Sequence, residues 1–87
     1  MDEDAVRRLI GSRISLARTA ANMSQVDLAT ALGVTSQTIS RWERGVRSPD
    51  GMYLLAMTKL LHCSADFLVG NSDTLHVSRQ DKEHAES

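Results

Sequence analysis

The stretch QVDLATALGVTSQTISRWE, residues 25–43, contains two short apolar-patterned runs separated by a glycine. Ser24 stands before the first run and Asp27 lies three residues further on. This is a form of the capping box in which Asp27 takes the place of the usual Glu, so a helix starts at Ser24. Leu28, Ala29 and Leu32 give that helix a buried face, and Gly33, free to take a positive φ, stops it. Val34 fills the turn and Thr35 caps a second helix, in which Ile39 and Trp42 point inward and Gly45 ends the run. A connection of only about three residues forces a sharp angle between the helices. Ala29 is small enough to let them cross closely. The unit is a helix-turn-helix.

Working outward, Ala5, Val6, Leu9, Ile10, Ile14, Leu16 and Ala17 recur at three- and four-residue steps. They predict a first helix from about 5 to 21, with Asn22 able to end it. Downstream, Ser48-Pro49-Asp50 reads as a helix start with Pro49 in the first turn, and Met52 to Leu61 continues as a strongly apolar fourth helix. Ser64-Ala65-Asp66 caps a short fifth helix carrying Phe67, Leu68 and Val69 before Gly70-Asn71 breaks it. The helix-turn-helix is thus helices 2 and 3 of five. The chain divides into an acidic head (1–4), a globular block (5–70) and a polar tail (71–87) that is either disordered or a weak helix over 78–86. Eighty-seven residues leave room for one domain, and 41% hydrophobic content with only 3% aromatic gives an aliphatic core, which favours an all-α fold.

Several function classes recede on composition. Cys63 is the single cysteine, which rules out an internal disulfide framework and fits a reducing compartment. Met1-Asp2-Glu3-Asp4 lacks the basic start of a signal peptide, and no apolar stretch approaches the ~20 residues of a membrane span, so a soluble cytoplasmic protein is expected. His62, His76 and His84 have no ligand spacing, and there is no Gly-rich phosphate loop or paired catalytic carboxylate. No metal, cofactor or enzymatic activity is expected.

The net charge of -1 conceals its distribution. Residues 5–70 carry Arg7, Arg8, Arg13, Arg18, Arg41, Arg44, Arg47 and Lys59 against Asp27, Glu43, Asp50 and Asp66, a net +4, whereas residues 1–4 carry -3 and residues 71–87 carry -2. Seven Arg to one Lys in the basic block suits phosphate and guanine, because Arg offers a planar fork of donors. The acidic ends would lower non-specific attraction to DNA.

Over about 60 residues the chain resembles the lambda-repressor and Cro type of DNA-binding domain, the XRE family. The resemblance rests on Arg13-Ile14, Arg18, Ser24-Gln25, Leu28-Ala29, Gly33-Val34-Thr35, Thr38-Ile39-Ser40, Glu43-Arg44-Gly45, Ser48-Pro49 and the run from Leu61 to Leu68. It implies a compact five-helix lambda repressor-like fold and a transcriptional regulator whose third helix enters the major groove of double-stranded DNA. With Ile39 and Trp42 facing inward, the outward set is Ser36, Gln37, Ser40, Arg41 and Arg44, with Thr38 at the margin. Gln37 can pair bidentately with adenine, Arg41 can fork onto guanine, and Ser36 or the Thr38 methyl can touch a neighbouring base. Arg44 and Arg47 suit phosphate. Similar proteins place Ser24 and Gln25, at the start of helix 2, on a backbone phosphate, and pair Arg18 of helix 1 with Glu43 as a structural ion pair. They also carry an aliphatic residue where Cys63 stands, so Cys63 is expected in the core.

Helix 4 is apolar on more than one face. With Leu54, Met57 and Leu61 assigned to the core, Leu55, Leu60 and Phe67 remain for a self-complementary patch, as the helix 4 and 5 region provides in similar repressors. A homodimer would set two recognition helices about 34 Å apart on a palindromic operator. Gly51 departs from the family's usual apolar residue. A chain of this size is expected to be a minimal phage-type or bacterial repressor, relieved by a protein antirepressor or toxin rather than by a small-molecule effector. The alternative is an antitoxin-like interaction module that neutralises a partner and autoregulates its operon.

Overall fold

The computed structural model describes residues 2–75. Five helices follow in order: α1 (Glu3–Ala20), α2 (Gln25–Leu32), α3 (Ser36–Glu43), α4 (Gly51–Leu61) and α5 (Ala65–Leu68). Among the described residues there is no strand. The expected weak helix over 78–86 lies outside the described residues, as do His76 and His84.

Side-chain caps open every helix. Ser24 accepts from the Asp27 N–H while the Asp27 carboxylate accepts from the Ser24 N–H at 2.9 Å, which completes the capping box with Asp at its third position. These bonds, first the one from the Ser24 amide and then the one with its hydroxyl, hold the Asp27 carboxyl below the ordinary value of 3.8. Thr35 and Ser64 cap α3 and α5 through their hydroxyl oxygens alone, accepting from the Thr38 and Phe67 N–H groups. Gly33 closes α2 in the left-handed conformation at φ 74°, which lets its N–H and that of Val34 reach back to the carbonyls of Thr30 and Ala29.

Two boundaries differ from the sequence reading. The acidic head is not a separate segment: Asp2 caps α1 by accepting from the Asp4 N–H, and Glu3 and Asp4 form its first turn, where negative charge favours the helix dipole. Pro49 precedes α4 rather than entering it. Asp50 is the cap, accepting from the Met52 and Tyr53 N–H groups, and the helix starts at Gly51.

The core gathers Ile10, Ile14 and Ala17 from α1, Leu28 and Ala29 from α2, Ile39 and Trp42 from α3, Met57 and Leu61 from α4, and Phe67 and Leu68 from α5. Cys63 is buried with them, and burial pushes its thiol above its ordinary value. Leu9 and Leu16, expected on the buried face of α1, are exposed. Gly11 takes the place beside Ile10 where α1 presses on the end of α3, and a Cβ there would lie 2.3 Å from the Trp42 carbonyl oxygen and 2.6 Å from that of Glu43. The absence of that methyl is what lets the two helices meet. On the far side of α1, the Arg13 guanidinium stands 4.5 Å over the Phe67 ring and donates to the Ser72 carbonyl and the Asp73 carboxylate, both at 2.8 Å.

Candidate nucleic-acid interface

The helix-turn-helix is held from behind. Ile39 is fully buried, and Trp42 packs its ring 5.3 Å from that of Tyr53 on α4, so Trp42 serves the core. Positions 37, 40, 41 and 44 therefore lie on the opposite side of the helix, with 36 and 38 at its margins. Ser36, Gln37 and Arg41 are exposed on α3, and Ser40 is half-buried beside them. Thr38 is half-buried too, with its hydroxyl 3.0 Å from that of Thr35, which leaves its methyl for apolar contact. Arg44 caps the C-terminus of α3, and the Val46 and Arg47 N–H groups fold back to the Arg41 carbonyl. This turn sets Arg47 and Ser48 opposite Thr38 and Arg41 across a cleft of about 230 Å³ floored by Trp42. Among the described residues, the side chains of Ser36, Gln37, Arg41, Arg44 and Arg47 make no hydrogen bond or ion pair. A row of polar groups so placed can donate to base edges and phosphates without first breaking protein contacts.

At the start of α2 the polar groups are engaged. Arg18 donates from Nε to Glu43 Oε2 at 2.6 Å, from one terminal nitrogen to Glu43 Oε1 at 3.1 Å, and from the other to the Met23 carbonyl at 2.8 Å. The hydrogen bond to Glu43 raises the guanidinium above its ordinary value, against the opposing effect of desolvation. Both side chains are largely covered, Arg18 at 16% and Glu43 at 8% exposure. Gln25 Nε2 donates to Glu43 Oε1 at 3.0 Å. Nothing in the sequence pattern pointed to that tie, because Gln25 and Glu43 sit on different helices and approach only after the turn folds. Arg7 is a further contact the sequence reading missed, its Nε donating to the Gly45 carbonyl at 3.3 Å and its guanidinium pairing with Asp4.

The expected self-complementary patch needs a correction. Leu55 and Leu60 are exposed at 58% and 37%, but Phe67 is only 3% exposed and lies under Arg13. In α5 both Phe67 and Leu68 face the bundle, and the Arg13 guanidinium covers the Phe67 ring. Met52, exposed at 80%, extends the apolar surface of α4 in its place. It borders a groove of about 650 Å³ between α2 and α4, lined by Ala31, Leu32, Tyr53, Ala56 and Leu60 with Asp50 and Lys59. Among the described residues no cluster of His, Cys, Asp or Glu could hold a metal ion, and no helix is long and apolar enough to cross a membrane.

Five helices, a second and third crossing through a glycine turn, and a third with a buried apolar side and an open polar one define a lambda repressor-like helix-turn-helix domain. The sequence pattern of the Helix-turn-helix family matches residues 14–68, and the chain belongs to that family, of the XRE type. It is 40% identical over 62 residues to repressor protein C2 of Salmonella phage P22, covering 71% of this chain and 29% of that one. It is 38% identical over 65 residues to the transcriptional regulator DicA of Escherichia coli, covering 74% and 48%. The chain thus spans less than half the length of either relative. The solved structure of the P22 c2 repressor in complex with a synthetic operator superposes with a TM-score of 0.68 at 39% identity, over 74% of this chain and 97% of that one.

Proposed function

We propose that the chain is a sequence-specific, double-stranded DNA-binding transcriptional repressor that works in the cytoplasm as a homodimer on a palindromic operator. Ser36, Gln37, Ser40, Arg41 and the Thr38 methyl read bases. Ser24, Gln25, Arg44 and Arg47 hold backbone phosphates. The observation that carries this reading is the open polar side of α3 opposite a side locked in the core by Ile39 and Trp42. The solved complex of the P22 c2 repressor, which shares this fold, with its operator supports it. Met52, Leu55 and Leu60 supply the surface for a second copy.

Selection from a random duplex library, followed by titration at several salt concentrations, tests the proposal. Enriched fragments should hold inverted half-sites about 34 Å apart, centre to centre, with affinity falling steeply as salt rises. Binding with no sequence preference would sink the repressor reading and favour the antitoxin-like module.

A further inference from the structure

A glutamine used as a phosphate ligand has to be ordered. Its side chain turns about three bonds, and freezing it on contact with DNA costs affinity. In this chain the freezing has already happened. Gln25 Nε2 rests 3.0 Å from Glu43 Oε1, and a carboxylate only accepts, so the amide must turn its nitrogen toward Glu43. One N–H is consumed and the other remains, beside the first-turn N–H groups of α2 that have no carbonyl behind them. Glu43 is itself fixed by two bonds from Arg18, which also grips the Met23 carbonyl just before the α2 cap. One guanidinium thereby registers the end of α1, the start of α2 and the last residue of α3. It also neutralises Glu43, whose charge would otherwise repel a phosphate drawn to Gln25.

We propose that Glu43, beyond stabilising the fold, is a positioning residue that presents the Gln25 amide to a DNA phosphate, with Arg18 as the counter-charge that makes this possible. The inference rests on the reading of Gln25 as a phosphate ligand. It predicts that Gln25 and Glu43 act on DNA affinity as one unit.

A double-mutant cycle on the full chain tests it, with duplexes enriched from a random library by the wild-type chain as the probe. Gln25→Ala should weaken binding about tenfold in the wild-type background, the loss of one hydrogen bond to a charged group. It should do so without changing the salt slope, because a neutral amide releases no counterion. In a Glu43→Ala background the same substitution should cost less than about twofold, the limit of ordinary additivity. Thermal denaturation without DNA separates the structural part of the Glu43 effect, and Glu43→Asp, which keeps the charge but shortens the reach to Gln25, carries the same cycle if Glu43→Ala does not fold. A tenfold cost of Gln25→Ala in both backgrounds would overturn the proposal, as would no cost in the wild type. Failure of the wild-type chain to bind any duplex would instead overturn the DNA-binding reading beneath it.

Discussion

The two sides of α3 are built on opposite terms. The inner side is packed and bonded: Ile39 and Trp42 are buried, the Trp42 and Glu43 carbonyls lie against Gly11, and the Glu43 carboxylate takes bonds from Arg18 and Gln25. On the outer side Ser36, Gln37 and Arg41 are exposed and make no side-chain bond among the described residues. The contrast separates a side that holds the fold from a side left open, to which the proposed function assigns DNA reading. Substitutions of Ile39 and Trp42 should register as stability, those of the outer residues as recognition, and those of Glu43, through Gln25, as both.

The largest break in that scheme is expected from Gly11→Ala. The added methyl gains about 0.5–1 kcal/mol in helix propensity, but it meets backbone oxygens that cannot step aside, and overpacking of this kind costs about 3 kcal/mol. The thermal midpoint should fall by roughly 15 °C. An unchanged midpoint would mean that α1 does not press on α3 as described. Arg41→Ala comes next and should act on the other side alone. Stability should stay within about 0.5 kcal/mol, while discrimination at one base position in a library selection drops by about 1–3 kcal/mol. Arg47→Ala should instead lower affinity evenly across sequences and flatten the salt slope by about one. If Arg41→Ala behaves like Arg47→Ala, the division of α3 into base and phosphate contacts is wrong.

The smallest effect concerns the cap that starts α2. Asp27 has its folded pKa lowered by its bonds to Ser24, so its contribution is present above the ordinary value of 3.8 and is lost as pH falls through the lower folded value. The midpoint difference between wild type and Asp27→Ala should therefore be constant near neutrality and shrink on acidification below 3.8. A difference that grows on acidification would contradict the capping box.

Local chemistry made much of this molecule legible in the sequence. Ser24 with Asp27, Gly33 and Thr35 act within a turn or two of their own positions, so their residue types nearly dictate the caps and the crossing. The inward places of Ile39 and Trp42 follow from helical spacing in the same way. What stayed hidden depends on residues distant in the chain. Arg13 reaches Asp73, 60 positions away, and Gln25 reaches Glu43, 18 positions away, and no periodicity encodes either meeting. The need for glycine at position 11 is invisible from α1 alone, because only the end of α3 reveals why a side chain is excluded there. Phe67 lies in the core where the sequence pattern predicts surface, because a one-turn helix offers no repeat from which to read a face.

The burial of Cys63 has a practical outcome for work with reagents. It is the single sulfhydryl of the chain, only 3% exposed, and its thiolate form is disfavoured by its surroundings. Maleimide or haloacetamide dyes, which need an accessible thiolate, will pass it by under native conditions. A cysteine introduced at Gln37 or Leu55 can then be labelled selectively without first removing the natural one, so a fluorophore would report separately from the α3 surface or from the α4 face of an otherwise unaltered protein.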